Sequence, residues 1–244
     1  MLGHLLKYDI RWTGRKLLPL YGLTIAVAAV LRLFGVINVT GAVHTVFQTG
    51  YSVLITAIYV MTVVAIDQGF RNMLGNQGYI YLTLPVGMST HLWSKVISGL
   101  IWVILSTVVG IITLPIIYAP SRSGDISGVI SVIRLDPDFA RLAAYGAGFI
   151  VLTLLVIALG IMMIYAAETI GHLVKKHRTA LGVTAFLVMF IIVVMISNKL
   201  FTLILDDNSS AGIFLMVGMS ITAALFAVLF LLTNYLLKRK IDLD

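Results

Sequence analysis

The stretch LAAYGAGFIVLTLLVIALGIMMIYAA, Leu142 to Ala167, decides the fold, because it runs 26 residues without a charged side chain. An α-helix rises 1.5 Å per residue, so about 20 apolar residues cross the roughly 30 Å hydrocarbon core of a bilayer. Five further stretches read the same way: Leu17–Val39, Val43–Ile66, Val96–Tyr118, Thr179–Ile196 and Ala211–Leu237. Thr179–Ile196 is the shortest and still adequate. The pattern predicts an all-α, polytopic membrane protein with six transmembrane helices.

Composition agrees. Hydrophobic residues make up 60% of the 244-residue chain and charged residues 11%, against about 25% charged in a typical soluble domain. With six spans little is left over, so residues 1–244 read as one membrane domain. There is no cysteine, which excludes disulfides and thiolate metal sites.

Placing both termini in the cytoplasm puts twelve of the seventeen Lys and Arg residues inside and five outside, with the ten acids split five and five. The net charge of +7 then lies wholly on the inner side. Basic residues mark cytoplasmic loops, and a basic rim of this kind attracts anionic lipid headgroups without any nucleic acid. Residues 1–16, with Leu2, Leu5, Leu6, Tyr8 and Trp12 set against Lys7, Arg11 and Arg15, read as an amphipathic interfacial helix that leads into the first span near Pro19.

Within the six spans Arg32 is the only charged residue, near an outer end where it can snorkel. Coupled transporters usually carry intramembrane acids or lysines as ion relays, so energy is expected from outside the membrane domain. No His-Glu-x-x-His zinc motif, phosphate loop or Gly-x-Ser-Gly nucleophile occurs. No catalytic residue, metal ligand or cofactor is assigned to this chain.

On the second span, Thr45, Gln48, Ser52, Thr56, Tyr59 and Thr62 fall within about 120° of one another at 100° per residue. Such a polar stripe on an apolar helix belongs against protein or a water-accessible cavity. Hydroxyls bonding back to their own helix would produce the same spacing. Small residues at four-residue spacing, Ser106/Gly110, Ala143/Ala147 and Ala144/Gly148, allow close helix approach within or between subunits.

The connection Asp67–Lys95 is too apolar for a solvated loop. Met73, Leu74, Tyr79, Ile80 and Leu82 need cover, from a partner surface or the membrane interface. Pro85 stops a helix and Ser89-Thr90 can cap the next one.

The run Leu82-Thr83-Leu84-Pro85-Val86-Gly87, followed by Ser94-Lys95 at the foot of the third span, together with the opening Met1-Leu2-Gly3-His4-Leu5-Leu6-Lys7-Tyr8-Asp9, resembles permease subunits of bacterial ATP-binding-cassette exporters of the six-helix class known as type V. The strong part of the resemblance covers roughly a quarter of the chain. Where that family often has acids early in the coupling segment, this chain has the amides Asn76 and Gln77, and its Ser197–Ser210 connection is short.

The resemblance implies a cytoplasmic coupling helix between spans 2 and 3 and a second permease subunit, identical or homologous. It also implies a separate ATPase subunit carrying ATP and Mg, docked over residues 72–83, and a location in the bacterial cytoplasmic membrane. It places the α-helical span carrying the polar stripe beside the substrate path. The implied function is export of an amphipathic or peptide-like substrate. An antimicrobial-peptide sensing or immunity module of the same fold, and a membrane-embedded lipid-modifying enzyme, are the alternatives.

Overall fold

The computed structural model describes residues 2–37, 41–74, 87–118, 139–173, 177–204 and 211–241, and the statements below concern these. They form six helices: α1 (Leu2–Ile37), α2 (Ala42–Leu74), α3 (Met88–Tyr118), α4 (Phe139–Gly171), α5 (Arg178–Ile204) and α6 (Ala211–Ile241). Each is long and apolar enough to cross a membrane. The chain is a six-helix polytopic membrane protein, and no strand occurs among the described residues.

The helices outrun the hydrocarbon. At 36 residues α1 is about 54 Å long, so the amphipathic stretch expected over residues 1–16 is helical from Leu2 and continuous with the first span. The buried positions explain why. Asp9, Thr13, Leu17, Tyr21, Thr24, Ala28 and Leu31 follow each other at three- and four-residue spacing, a single buried stripe that passes through the Lys16/Leu17 boundary without a break. Pro19 lies inside the helix; it removes one backbone hydrogen bond without ending the helix. Similarly, α2 continues two turns past Ile66 and α3 begins eight residues before Val96. The Thr90 amide bonds the Gly87 carbonyl at 2.9 Å, so Gly87 stands at the start of α3 and Ser89-Thr90 lie inside its first turn rather than capping it. The expected coupling helix falls in 75–86, outside the described residues.

Two compact units make up the chain, sharing α2 and α3 between them: residues 1–69 with 97–135, and residues 70–96 with 136–244. In the first, Leu17 and Tyr21 of α1, Ile58 of α2 and Trp102 of α3 form one buried cluster, and Ala28, Leu31 and Tyr51 a second. Three buried hydroxyls tie the helices together: Ser106 Oγ lies 2.8 Å from Tyr21 Oη and 2.9 Å from Thr62 Oγ1. Thr62 reaches the Ile58 carbonyl at 2.8 Å, so the chain Tyr21 to Ser106 to Thr62 to Ile58 gives each hydroxyl proton an acceptor. Tyr51 and Thr113 make a second link at 2.8 Å. Next to Leu17 on α1, Lys16 donates to Gln68 Oε1 at 2.7 Å.

In the second unit α4 packs along both α5 and α6. Gly148 lets Leu215 approach, and Gly218 lets Phe201 and Leu152 approach. The small residues Gly148 and Ser106 therefore serve packing within one chain. Trp93, in the first turns of α3, packs at a tilt against Phe226 and Phe230 of α6, with ring centroids 5.8 and 5.1 Å away. Only 6% of the apolar window of α5 is buried; in water that surface would aggregate, whereas lipid solvates it.

Candidate functional site

The best-built polar site lies where α2 ends and α3 begins, on the two sides of residues 75–86. Phe70, fully buried, stacks on Tyr165 of α4 with ring centroids 4.3 Å apart and planes 13° from parallel. The next residue, Arg71, donates through Nη2 to Glu168 Oε1 at 2.7 Å. Tyr165 and Glu168 are three residues apart and so share a face of α4, which is how consecutive residues of α2 meet both. From the same face the Tyr165 hydroxyl donates to the Lys95 carbonyl of α3 at 3.2 Å. The end of α4 thus holds both chain segments that flank 75–86.

Glu168 is the only glutamate in the chain, and its position is costly. Its side chain is 13% exposed, and it sits in the last turn of α4, where the partial negative charge of the helix end opposes an anion by about 0.3–1 kcal/mol. Arg71 offsets both costs. Its side chain remains 40% exposed, so the guanidinium bridges from solvent to a nearly buried carboxylate. His172 finishes the turn: its backbone amide and Nδ1 lie 3.0 and 2.8 Å from the Glu168 carbonyl. A carbonyl only accepts, so Nδ1 carries the proton in that contact. The same nitrogen is 3.7 Å from Glu168 Oε2.

The crossing of α4 with the start of α5 is equally tight. A Cβ placed on Gly171 would sit 2.7 Å from the Arg178 carbonyl oxygen and 3.1 Å from the Gly182 backbone. No side chain fits there. A Cβ on Gly182 would meet only ordinary contacts, 3.6 Å from the Ala167 carbonyl and 3.7 Å from Glu168 Oε1.

Of the residues expected to meet a partner, Met73 is buried rather than presented on a surface, and Leu74 is half-buried. Because α2 runs on past Ile66, Met73 joins Ile66 and Phe70 at i, i+4, i+7 on its buried face. Tyr79, Ile80 and Leu82 lie outside the described residues.

The polar stripe of α2 is largely brought together. Thr45, Gln48, Ser52, Thr56 and Tyr59 share one exposed face, joined by Thr49. Thr62 is turned inward to Ser106. The hydroxyls of Thr45, Thr49, Ser52 and Thr56 all bond back to the carbonyl four residues earlier, so they ask little of their surroundings. Tyr59 Oη lies 3.9 Å from the point where a Cβ of Gly110 would be. Gln48 and Tyr59 are the members that cannot satisfy themselves, and neither side chain has a hydrogen bond among the described residues.

Glu168 was absent from the residues singled out by sequence because the apolar run ends at Ala167, which assigns position 168 to a loop. The available signal was that it is the only acid between Asp138 and Asp206. Among the described residues no group of three or more His, Asp or Glu side chains converges to hold a metal ion. Comparison of the chain with protein-family models, with curated proteins and with solved structures returned no match.

Proposed function

We propose that this chain is the membrane subunit of an ATP-driven exporter of the ATP-binding-cassette type, working with a separate ATPase chain and a second permease subunit in a bacterial cytoplasmic membrane. The observation that carries the reading is the foot of α2 and α3. The residues on either side of 75–86 are fastened to one face of α4 by a ring stack, an ion pair and a hydrogen bond. A force applied by a partner to residues 75–86 is therefore delivered to three helices at once, which is what coupling of ATP hydrolysis to a membrane domain requires. The exposed polar face of α2, with Gln48 and Tyr59, supplies the groups that would line a path for an amphipathic or peptide-like substrate.

The docking role is tested by Tyr79→Ala combined with Ile80→Asp. The permease should insert and fold as the wild type while its ATPase partner loses both copurification and substrate-stimulated hydrolysis. Full stimulation by the double variant contradicts docking at this segment.

A further inference from the structure

The first turns of α1 carry a feature that the transport reading does not use. Tyr8, Arg11, Trp12 and Arg15 follow at i, i+3, i+4 and i+7, so they lie on one helix face, and they line a hollow of about 350 Å³. Lys16 is occupied: its ammonium lies 4.1 Å from the centre of the Trp12 ring and donates to Gln68. That arrangement braces the indole from one side. Arg11 and Arg15 are exposed, and neither has a hydrogen bond or ion pair among the described residues. Two guanidiniums thus flank a hollow with a braced indole and an exposed phenol, which is a cation pair awaiting an anion.

Depth identifies the anion. The apolar run of α1 begins at Leu17, so Arg15 and Arg11 lie about 3 and 9 Å beyond the hydrocarbon edge along the helix axis. Each headgroup layer is about 5–7 Å thick, and arginine side chains reach along the helix to the interface. Arg15 therefore lies within the headgroup layer, Arg11 lies just beyond it with the phosphates in reach of its long side chain, and Trp12 lies between them at the interface where indoles gather.

We infer that Tyr8, Arg11, Trp12 and Arg15 form a binding site for the phosphodiester headgroup of an anionic phospholipid, the two arginines gripping the phosphate and the aromatic rings bordering the glycerol. A zwitterionic lipid brings its own cation to the phosphate, so the site discriminates in favour of net negative charge. The inference goes beyond the transport reading and needs only that α1 sits in a bilayer.

The test is retention of lipid by the intact chain in nanodiscs of phosphatidylcholine mixed with phosphatidylglycerol, read by native mass spectrometry after release. Wild type retains phosphatidylglycerol over phosphatidylcholine. Each basic residue near an anionic surface contributes about five-fold, so Arg11→Gln with Arg15→Gln lowers retention about thirty-fold. Arg11→Lys with Arg15→Lys keeps most of the charge preference. Wild type without preference for phosphatidylglycerol overturns the site, and that measurement needs no variant to fold. Undiminished retention by the glutamine pair overturns it too, as does displacement of the lipid by millimolar inorganic phosphate, which would mark a site for free anions.

Discussion

Gly171→Ala will destabilise the folded chain by about 2 kcal/mol or more, whereas Gly182→Ala, on the other side of the same crossing, will be close to neutral. The added methyl at 171 meets backbone atoms only, with the Arg178 carbonyl oxygen 2.7 Å away. Backbone cannot rotate aside as a side chain can, so α4 and α5 must separate, and overpacking of this kind costs about 1–3 kcal/mol. Separation also disturbs Glu168, which lies one turn earlier on α4. At Gly182 the same methyl enters ordinary van der Waals contact, and replacing glycine inside a helix recovers up to about 1 kcal/mol of propensity. Unfolding of the two variants in mixed micelles by titration with dodecyl sulfate distinguishes them. Equal stability of the two would show that the crossing is looser than described.

Glu168→Leu will cost about 1–2 kcal/mol, and Arg71→Leu added to it will recover part of that loss. Hydrogen bonds to charged groups contribute about 1.5–3 kcal/mol. The figure here is placed lower because the Arg71 side chain is 40% exposed and its charge is screened by water. Removing the carboxylate takes from the guanidinium its 2.7 Å charged partner at a low-dielectric crossing. Removing both leaves an apolar contact, and replacement of whole ion pairs by apolar residues is often tolerated. A double-mutant cycle on unfolding free energy should give a coupling of about 1 kcal/mol. Zero coupling would reduce the 2.7 Å contact to a surface encounter and remove one of the three fastenings between α4 and the foot of α2 and α3.

The six spans were legible in the sequence because hydrocarbon thickness demands long charge-free runs, and runs such as Leu142–Ala167 are visible by inspection. The helix ends were not. Hydropathy locates the hydrocarbon, whereas a helix continues as long as its backbone and one buried face allow. Residues 2–16 joined α1 for that reason, and Met73 became buried instead of presented. The stripe on α2 was legible from its 100° arithmetic, since Thr45, Gln48, Ser52, Thr56 and Tyr59 do share a face. Thr62, at the stripe's edge, went inward because Ser106 and Tyr21 offer hydroxyls that form with it one chain of hydrogen bonds ending on the Ile58 carbonyl. The foot of α2 and α3 was half legible. An apolar connection rich in Leu and Tyr pointed to something requiring cover, but the partners Tyr165 and Glu168 lie about a hundred residues away, and no local pattern pairs them with Phe70 and Arg71.

The central claim is that this membrane chain is driven by a separate ATP-hydrolysing subunit. Affinity purification of the full chain from its native membrane in mild detergent, followed by mass spectrometry and an ATPase assay of the eluate, tests it directly. The account predicts a second chain bearing a phosphate-binding loop, present in stoichiometric amount, with ATP hydrolysis that falls when Tyr79→Ala and Ile80→Asp are introduced. Recovery of the chain with no nucleotide-hydrolysing partner and no ATPase activity would contradict it.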